Sequence, residues 1–154
     1  MKKPSVGIIM GSESDMKMIE KAFPLLNEFG ISYQVEVASA HRTPKKVKEF
    51  ISKADGKYDL LIAAAGMAAH LPGVIASYTT LPVIGIPVGG GPLSGFDSLY
   101  SIVQMPPGVP VATVAIDGSK NAAILAAQIL SLKYPALKTK LIKLKDRMAK
   151  GAKI

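Results

Sequence analysis

Val6-Gly7-Ile8-Ile9-Met10-Gly11-Ser12-Glu13-Ser14-Asp15 decides the fold. The run from Val6 to Met10 has no polar break, the pattern of a strand buried on both faces rather than wetted on one. Gly11 ends it. The serines and Asp15 that follow are the chemistry of a helix start, where a side-chain oxygen caps free N–H groups and a carboxylate suits the first turn. A doubly buried strand leading into a helix is the opening half of a βαβ unit.

The same alternation continues along the chain. Residues 14–28 place Met18, Ala22 and Leu25 or Leu26 on one helical face, with Gly30 as the stop. Ile31 to Val37 alternates as a second strand. Thr43 and Pro44 open a helix over 44–54 as N-cap and first residue, with Val47, Phe50, Ile51 and Ala54 inward. Leu60 to Ala65 is a third buried strand, followed by a short helix within 68–78 whose start is limited by Pro72. Pro82 to Ile86 is a fourth strand and Pro87 to Gly95 a glycine-rich loop. Residues 96–104 are helical, and Val111 to Ile116 is a fifth strand. Ser119 is read as the cap of a helix over 120–132, and Pro135 opens a last helix to about residue 149. Strands alternating with helices predict an α/β, three-layer sandwich on a five-stranded parallel sheet, in the flavodoxin-like order.

At 154 residues the chain fits one domain. Residues 1–132 are read as the α/β unit and 133–154 as a basic helical extension of the same domain. A content of 49% hydrophobic and 19% charged residues argues against disorder. The absence of cysteine excludes disulfides, thiol catalysis and thiolate metal sites, and two histidines without an acidic cluster argue against a metal centre. The Met1-Lys2-Lys3-Pro4 leader runs into too short an apolar stretch for a signal peptide or membrane span, so no membrane association and a cytoplasmic location are expected. The net charge of +8 is local: residues 133–154 carry eight basic residues against one acidic, and the rest is nearly neutral. Without an aromatic stacking platform this tail reads as a solvated helix face, and no nucleic-acid partner is expected. The helix at 120–132 is apolar almost all round. The last helix aligns Leu137, Leu141, Leu144 and Met148 in a seam. Both faces are expected to be covered by neighbouring subunits of a homo-oligomer.

In such a sheet the loops after strand ends converge on one ligand site. Gly11 to Asp15 offers N–H groups and the hydroxyls of Ser12 and Ser14 for an anion, although simple helix capping explains the segment as well. It lacks the glycine pattern of a dinucleotide site and the lysine of a P-loop. The next loop combines the Ser39 hydroxyl, the His41 imidazole, a proton carrier near neutral pH, and the Arg42 guanidinium, a planar anion fork. The third loop brings Gly66 and His70, the fourth the glycines after Pro87. Acid–base chemistry on a small phosphoester, without a cofactor, is what these groups support unaided.

Six stretches carry a resemblance to a known family: Gly11-Ser-Glu-Ser-Asp15, Ser39-Ala-His-Arg-Thr-Pro44, Ala68-Ala-His-Leu-Pro-Gly73, Leu81-Pro-Val-Ile-Gly85, Leu99-Tyr-Ser-Ile-Val-Gln-Met-Pro106 and Pro110-Val-Ala-Thr-Val114. In this order they resemble the N5-carboxyaminoimidazole ribonucleotide mutases, one type of the aminoimidazole ribonucleotide carboxylase family. The resemblance implies an octamer of flavodoxin-like subunits with sites at subunit junctions and C-terminal helices reaching onto neighbours. It implies transfer of a carboxyl group from N5 to C4 of a small nucleotide, in purine biosynthesis, without a cofactor. It makes His41 the proton shuttle and His70 its catalytic companion. Ser12, Asp15 and Arg42, with Gly11, Ser14 and Ser39 beside them, would hold ribose and phosphate. Gly66, Ala69, His70 and Leu71 would surround the base and CO2.

The family's second type carboxylates aminoimidazole ribonucleotide directly and usually carries lysine in place of Arg42. Met67 and Ala64 stand where the mutases usually have glycine, Pro107 also departs, and Asp117-Gly118-Ser119 is shorter than the common form. A nucleotide-binding regulatory domain, for which His41 would be dispensable, is the non-enzymatic alternative. RNA binding through the tail is another.

Overall fold

The computed structural model describes residues 3–154; Met1 and Lys2, which begin the leader, lie outside the described residues. Five strands, β1 (Ser5–Met10), β2 (Ser32–Val37), β3 (Leu60–Gly66), β4 (Val83–Val88) and β5 (Ala112–Thr113), form one parallel sheet in the order β2-β1-β3-β4-β5. The helices are α1 (Met16–Ile19), α2 (Phe23–Phe29), α3 (Pro44–Ser52), α4 (Leu71–Ala76), α5 (Phe96–Val103), α6 (Ser119–Leu130) and α7 (Ala136–Ala149). This is the three-layer, flavodoxin-like arrangement expected.

The unbroken apolar runs feed two cores at once. Val6, Ile8 and Met10 of β1, Leu60 and Ile62 of β3 and Ile84 of β4 face the layer of α1, α2, α6 and α7. Ile9, Leu61, Ala63 and Val83 alternate with them onto the other face, against Val47, Leu71, Ile75 and Ile102 of α3, α4 and α5. Gly85 sits where a side chain would collide. A Cβ there would stand 2.5 Å from Ile102 and 2.7 Å from Val111, so its absence lets α5 lie close against β4.

Four local expectations change. The helix predicted over 14–28 keeps its direction but tightens to 3-10 turns at Glu13–Asp15 and Glu20–Ala22. Pro24 has no N–H to bond back to residue 20, so the chain tightens just before it. The fifth strand shrinks to two residues, since this edge pairs only with β4 and the chain turns away at Asp117, whose φ is +56°. Ser119 is not the cap of α6, because its hydroxyl is buried and donates to the Met18 carbonyl at 2.7 Å. Thr43 occupies the N-cap position of α3, but its hydroxyl bonds to Ser39 instead of capping.

Parts of the apolar faces of α6 and α7 are used within the chain itself. α6 packs on β3, β4, α2 and α7 of its own chain, and Leu137 and Leu144 of α7 enter the same core. α7 is pinned there by Lys140, which donates to the carbonyls of Glu28 and Phe29 at 3.0 and 2.8 Å. Exposed apolar side chains remain on α5, where Phe96, Tyr100 and Val103 recur at helical spacing, and also at Leu132 after α6 and at Ile142 and Met148 of α7.

Candidate active site

The carboxyl-terminal edge of the sheet is where the ladder runs out and the loops splay. Gly11 N–H still donates to the Ala64 carbonyl and Ala38 N–H to that of Met10, so the first two loops leave the sheet side by side. Between them, the β3–α4 loop and the glycine loop lies a cavity of about 520 Å³. That is within the roughly 300–1,000 Å³ of small-molecule sites.

The β2–α3 loop is tied down by its own side chains. Ser39 N–H donates to the Thr43 hydroxyl at 2.8 Å, Thr43 N–H to the Ser39 carbonyl at 2.9 Å, and Arg42 N–H to the Ser39 hydroxyl at 3.2 Å. Ser39 therefore organises the loop as well as lining the cavity. Held this way, His41 meets His70 from the β3–α4 loop. Their rings stand edge to face, 88° apart with centroids at 4.7 Å, and His41 Nε2 hydrogen-bonds His70 Nδ1. One of these nitrogens must carry the proton and the other accept it, so the pair holds a proton between two rings. His70 is itself placed at the N-cap of α4, with its N–H on the Ala68 carbonyl at 2.8 Å.

Arg42 reaches back across the cleft, Nη2 donating to the Gly11 carbonyl at 2.9 Å. Ser12 accepts from the Ser14 hydroxyl at 2.9 Å and from Ser14 N–H at 3.4 Å, so it caps the first turn while facing the cavity. Burial pushes the half-buried Asp15 carboxyl above its usual value. Hydrogen bonds at Ser14 and Ser12 and the Arg42 guanidinium pull it back, and Asp117 adds to the rise. The cavity is thus lined by a cationic fork, hydroxyls and a histidine pair.

Of the residues selected from sequence, Gly11, Ser12, Ser14, Asp15, Ser39, His41, Arg42, Gly66, His70 and Leu71 line the cavity. Ala69 does not. Its side chain is buried in the core beneath the loop. Gly89, Gly90 and Gly91 line the wall opposite, flagged in the sequence only as a glycine loop. The histidine contact is missed by sequence reading, yet the strand order implies it. β2 and β3 flank β1 at roughly 10 Å from each other, within reach of two side chains meeting above it.

Comparison with known proteins places this geometry. The family model described as AIR carboxylase matches residues 5–151. The chain is 57% identical over 140 residues to the N5-carboxyaminoimidazole ribonucleotide mutase of Pyrococcus horikoshii, covering 90% of this chain and 79% of that protein. It is 56% identical over 146 residues to that of Thermotoga maritima, covering 94% and 85%. It is 52% identical over 142 residues to the phosphoribosylaminoimidazole carboxylase of Saccharomyces cerevisiae, covering 92% of this chain and 25% of that protein. A crystal structure of Treponema denticola PurE superposes with a TM-score of 0.87 at 33% identity, over 96% of this chain and 93% of that one. The family match across nearly the whole sequence leads to one conclusion: the chain belongs to the AIR carboxylase family.

Proposed function

We propose that the chain interconverts N5-carboxyaminoimidazole ribonucleotide and 4-carboxy-5-aminoimidazole ribonucleotide in purine biosynthesis. The observation that carries this reading is the hydrogen-bonded His41–His70 pair in a cavity that Arg42 also lines. The reaction needs one proton moved twice and a phosphate gripped throughout. The N5–carboxyl bond breaks, CO2 departs, and the nitrogen takes its proton from His41. C4 then attacks the same CO2, and its hydrogen passes back to the imidazole. No electrons are gained or lost, so two rings and one shared proton suffice. His70 keeps His41 oriented and shares that proton. Arg42 and the Ser12 and Ser14 hydroxyls take the phosphate, Asp15 accepts from ribose, and Gly66 and Leu71 bound the space left for base and CO2.

The reading extends to a cytoplasmic homo-octamer. Its support is the apolar stripe of α5, which begins directly after the glycine loop and would place a neighbour beside the cavity. Direct carboxylation is the second reading, supported by the similarity to the yeast carboxylase.

The test is to give purified protein either N5-carboxyaminoimidazole ribonucleotide or aminoimidazole ribonucleotide with bicarbonate. Rapid conversion of the first and slow conversion of the second is the expected result; the reverse establishes the carboxylase. His41→Asn should lower kcat by about 100-fold or more while nucleotide binding persists. Near-normal turnover in that variant would reject the shuttle.

A further inference from the structure

Among the described residues, three other than glycine take a left-handed backbone: Met67 (φ +54°), Ser94 (φ +52°) and Asp117 (φ +56°). Each such residue carries a conformational cost, lower for Asp than for most side chains. Remote in sequence, they gather at one loop. Ser94 lies within the glycine loop, Met67 Cγ is 3.6 Å from where a Cβ of Gly91 would stand, and Asp117 grips the loop's first glycine. Asp117 Oδ1 accepts from Gly89 N–H at 2.8 Å, and Asp117 N–H donates to the Pro87 carbonyl at 2.8 Å. The β5–α6 turn therefore holds both sides of the Pro87–Gly89 bend. A Cβ on Gly89 would stand 2.7 Å from Asp117 Oδ2, so the grip requires glycine at that position.

Asp117 does not line the cavity, whereas Gly89, Gly90 and Gly91 do. The hollow that does include Asp117 is shared with Lys21 and Lys120, on its other side. Towards the cavity, its charge is felt at Asp15, where it opposes Arg42.

We propose that Asp117 is a positioning residue for the substrate site, holding the Gly89–Gly91 wall at the width that fits the nucleotide. This rests on reading the cavity as the nucleotide site. It adds a residue from a fifth segment, the β5–α6 turn, to the four loops that meet the ligand. The side chain acts through main-chain geometry, so its requirement is specific: an acceptor on a residue that tolerates the left-handed conformation. Asparagine meets both conditions. Glycine meets the second alone.

Two variants test it by hydrogen exchange over 87–95 and by steady-state kinetics. Asp117→Gly should accelerate exchange at the Gly89 amide and raise KM about tenfold, the equivalent of one hydrogen bond's worth of site geometry, with kcat changed much less. Asp117→Asn should restore exchange protection and KM. Its acid limb of kcat/KM should move to lower pH, because a neighbouring negative charge no longer opposes ionisation of Asp15. The proposal is overturned by an Asp117→Gly protein with wild-type exchange and KM, or by an asparagine variant no better than the glycine one. A wild-type protein inactive on both nucleotides would instead reject the functional reading, leaving the exchange arm to decide the grip.

Discussion

His41 and Arg42 are adjacent in the chain but take different partners in the cavity. The turn between Ser39 and Thr43 separates them: one side chain meets His70, the other returns to the Gly11 carbonyl. Both were legible as candidates because their residue types are rare and chemically pointed. Their division of labour came only from the resemblance to the family, and residue types alone could not give the contacts, which depend on the direction each side chain leaves a pinned turn. Met67 gives a sharper residue-scale expectation. It is 60% exposed, so little burial is at stake, yet its φ is positive. Met67→Gly should leave the melting temperature equal or higher. Met67→Val should lower stability by about 1 kcal/mol or more, because a branched Cβ is least tolerated in the left-handed region. Thermal unfolding of the two variants checks this, and a stable valine variant would remove strain as the explanation.

At the scale of elements, periodicity located every strand and helix, and failed where one residue overrode it. Pro24 tightened the first helix, and the turn at Asp117 cut short the edge strand. Helical seams revealed that α6 and α7 bury apolar faces but could not say against what, because spacing carries no address. The answer lies partly in Asp59, at the entry to β3. Its carboxylate accepts from Ser5 N–H at 3.0 Å, the Ser5 hydroxyl at 3.1 Å, Lys133 at 2.7 Å and the Tyr134 hydroxyl at 3.1 Å. It thereby ties the start of β1 to the segment leading into α7. Burial alone would push this carboxyl up, but the bonds from Lys133, Ser5 and Tyr134 outweigh it and hold the group below 3.8. Asp59→Ala should cost about 2 kcal/mol at neutral pH. A carboxyl lowered on folding stabilises above its unfolded value and loses that contribution as pH falls through the lowered one. The gap between variant and wild type should therefore narrow below pH 3.8. Chemical denaturation at several pH values measures it, and a constant gap would count against the charged network.

For the whole molecule, the exposed stripe on α5 joins Leu132, Ile142 and Met148 at the last two helices as surface to examine for assembly. Phe96 is 57% and Tyr100 62% exposed, beside the glycine loop. A double Phe96→Glu, Tyr100→Glu variant should elute as a smaller species on size-exclusion chromatography while keeping its far-UV circular dichroism. Unchanged elution would free α5 from any part in assembly. Deleting 133–154 is the poorer experiment, since Leu137 and Leu144 are part of the chain's own core.

The cavity walls come from the ends of β1, β2, β3 and β4, four strands brought together only when the whole sheet has formed. No single loop of the chain can present them. A ligand held there at free concentration L is thus a clasp on the global fold, and it raises the unfolding free energy by RT ln(1 + L/Kd): about 2.7 kcal/mol at one hundred times Kd. Occupancy of the site and stability of the fold become linked equilibria, so the concentration of free ligand sets the folded fraction.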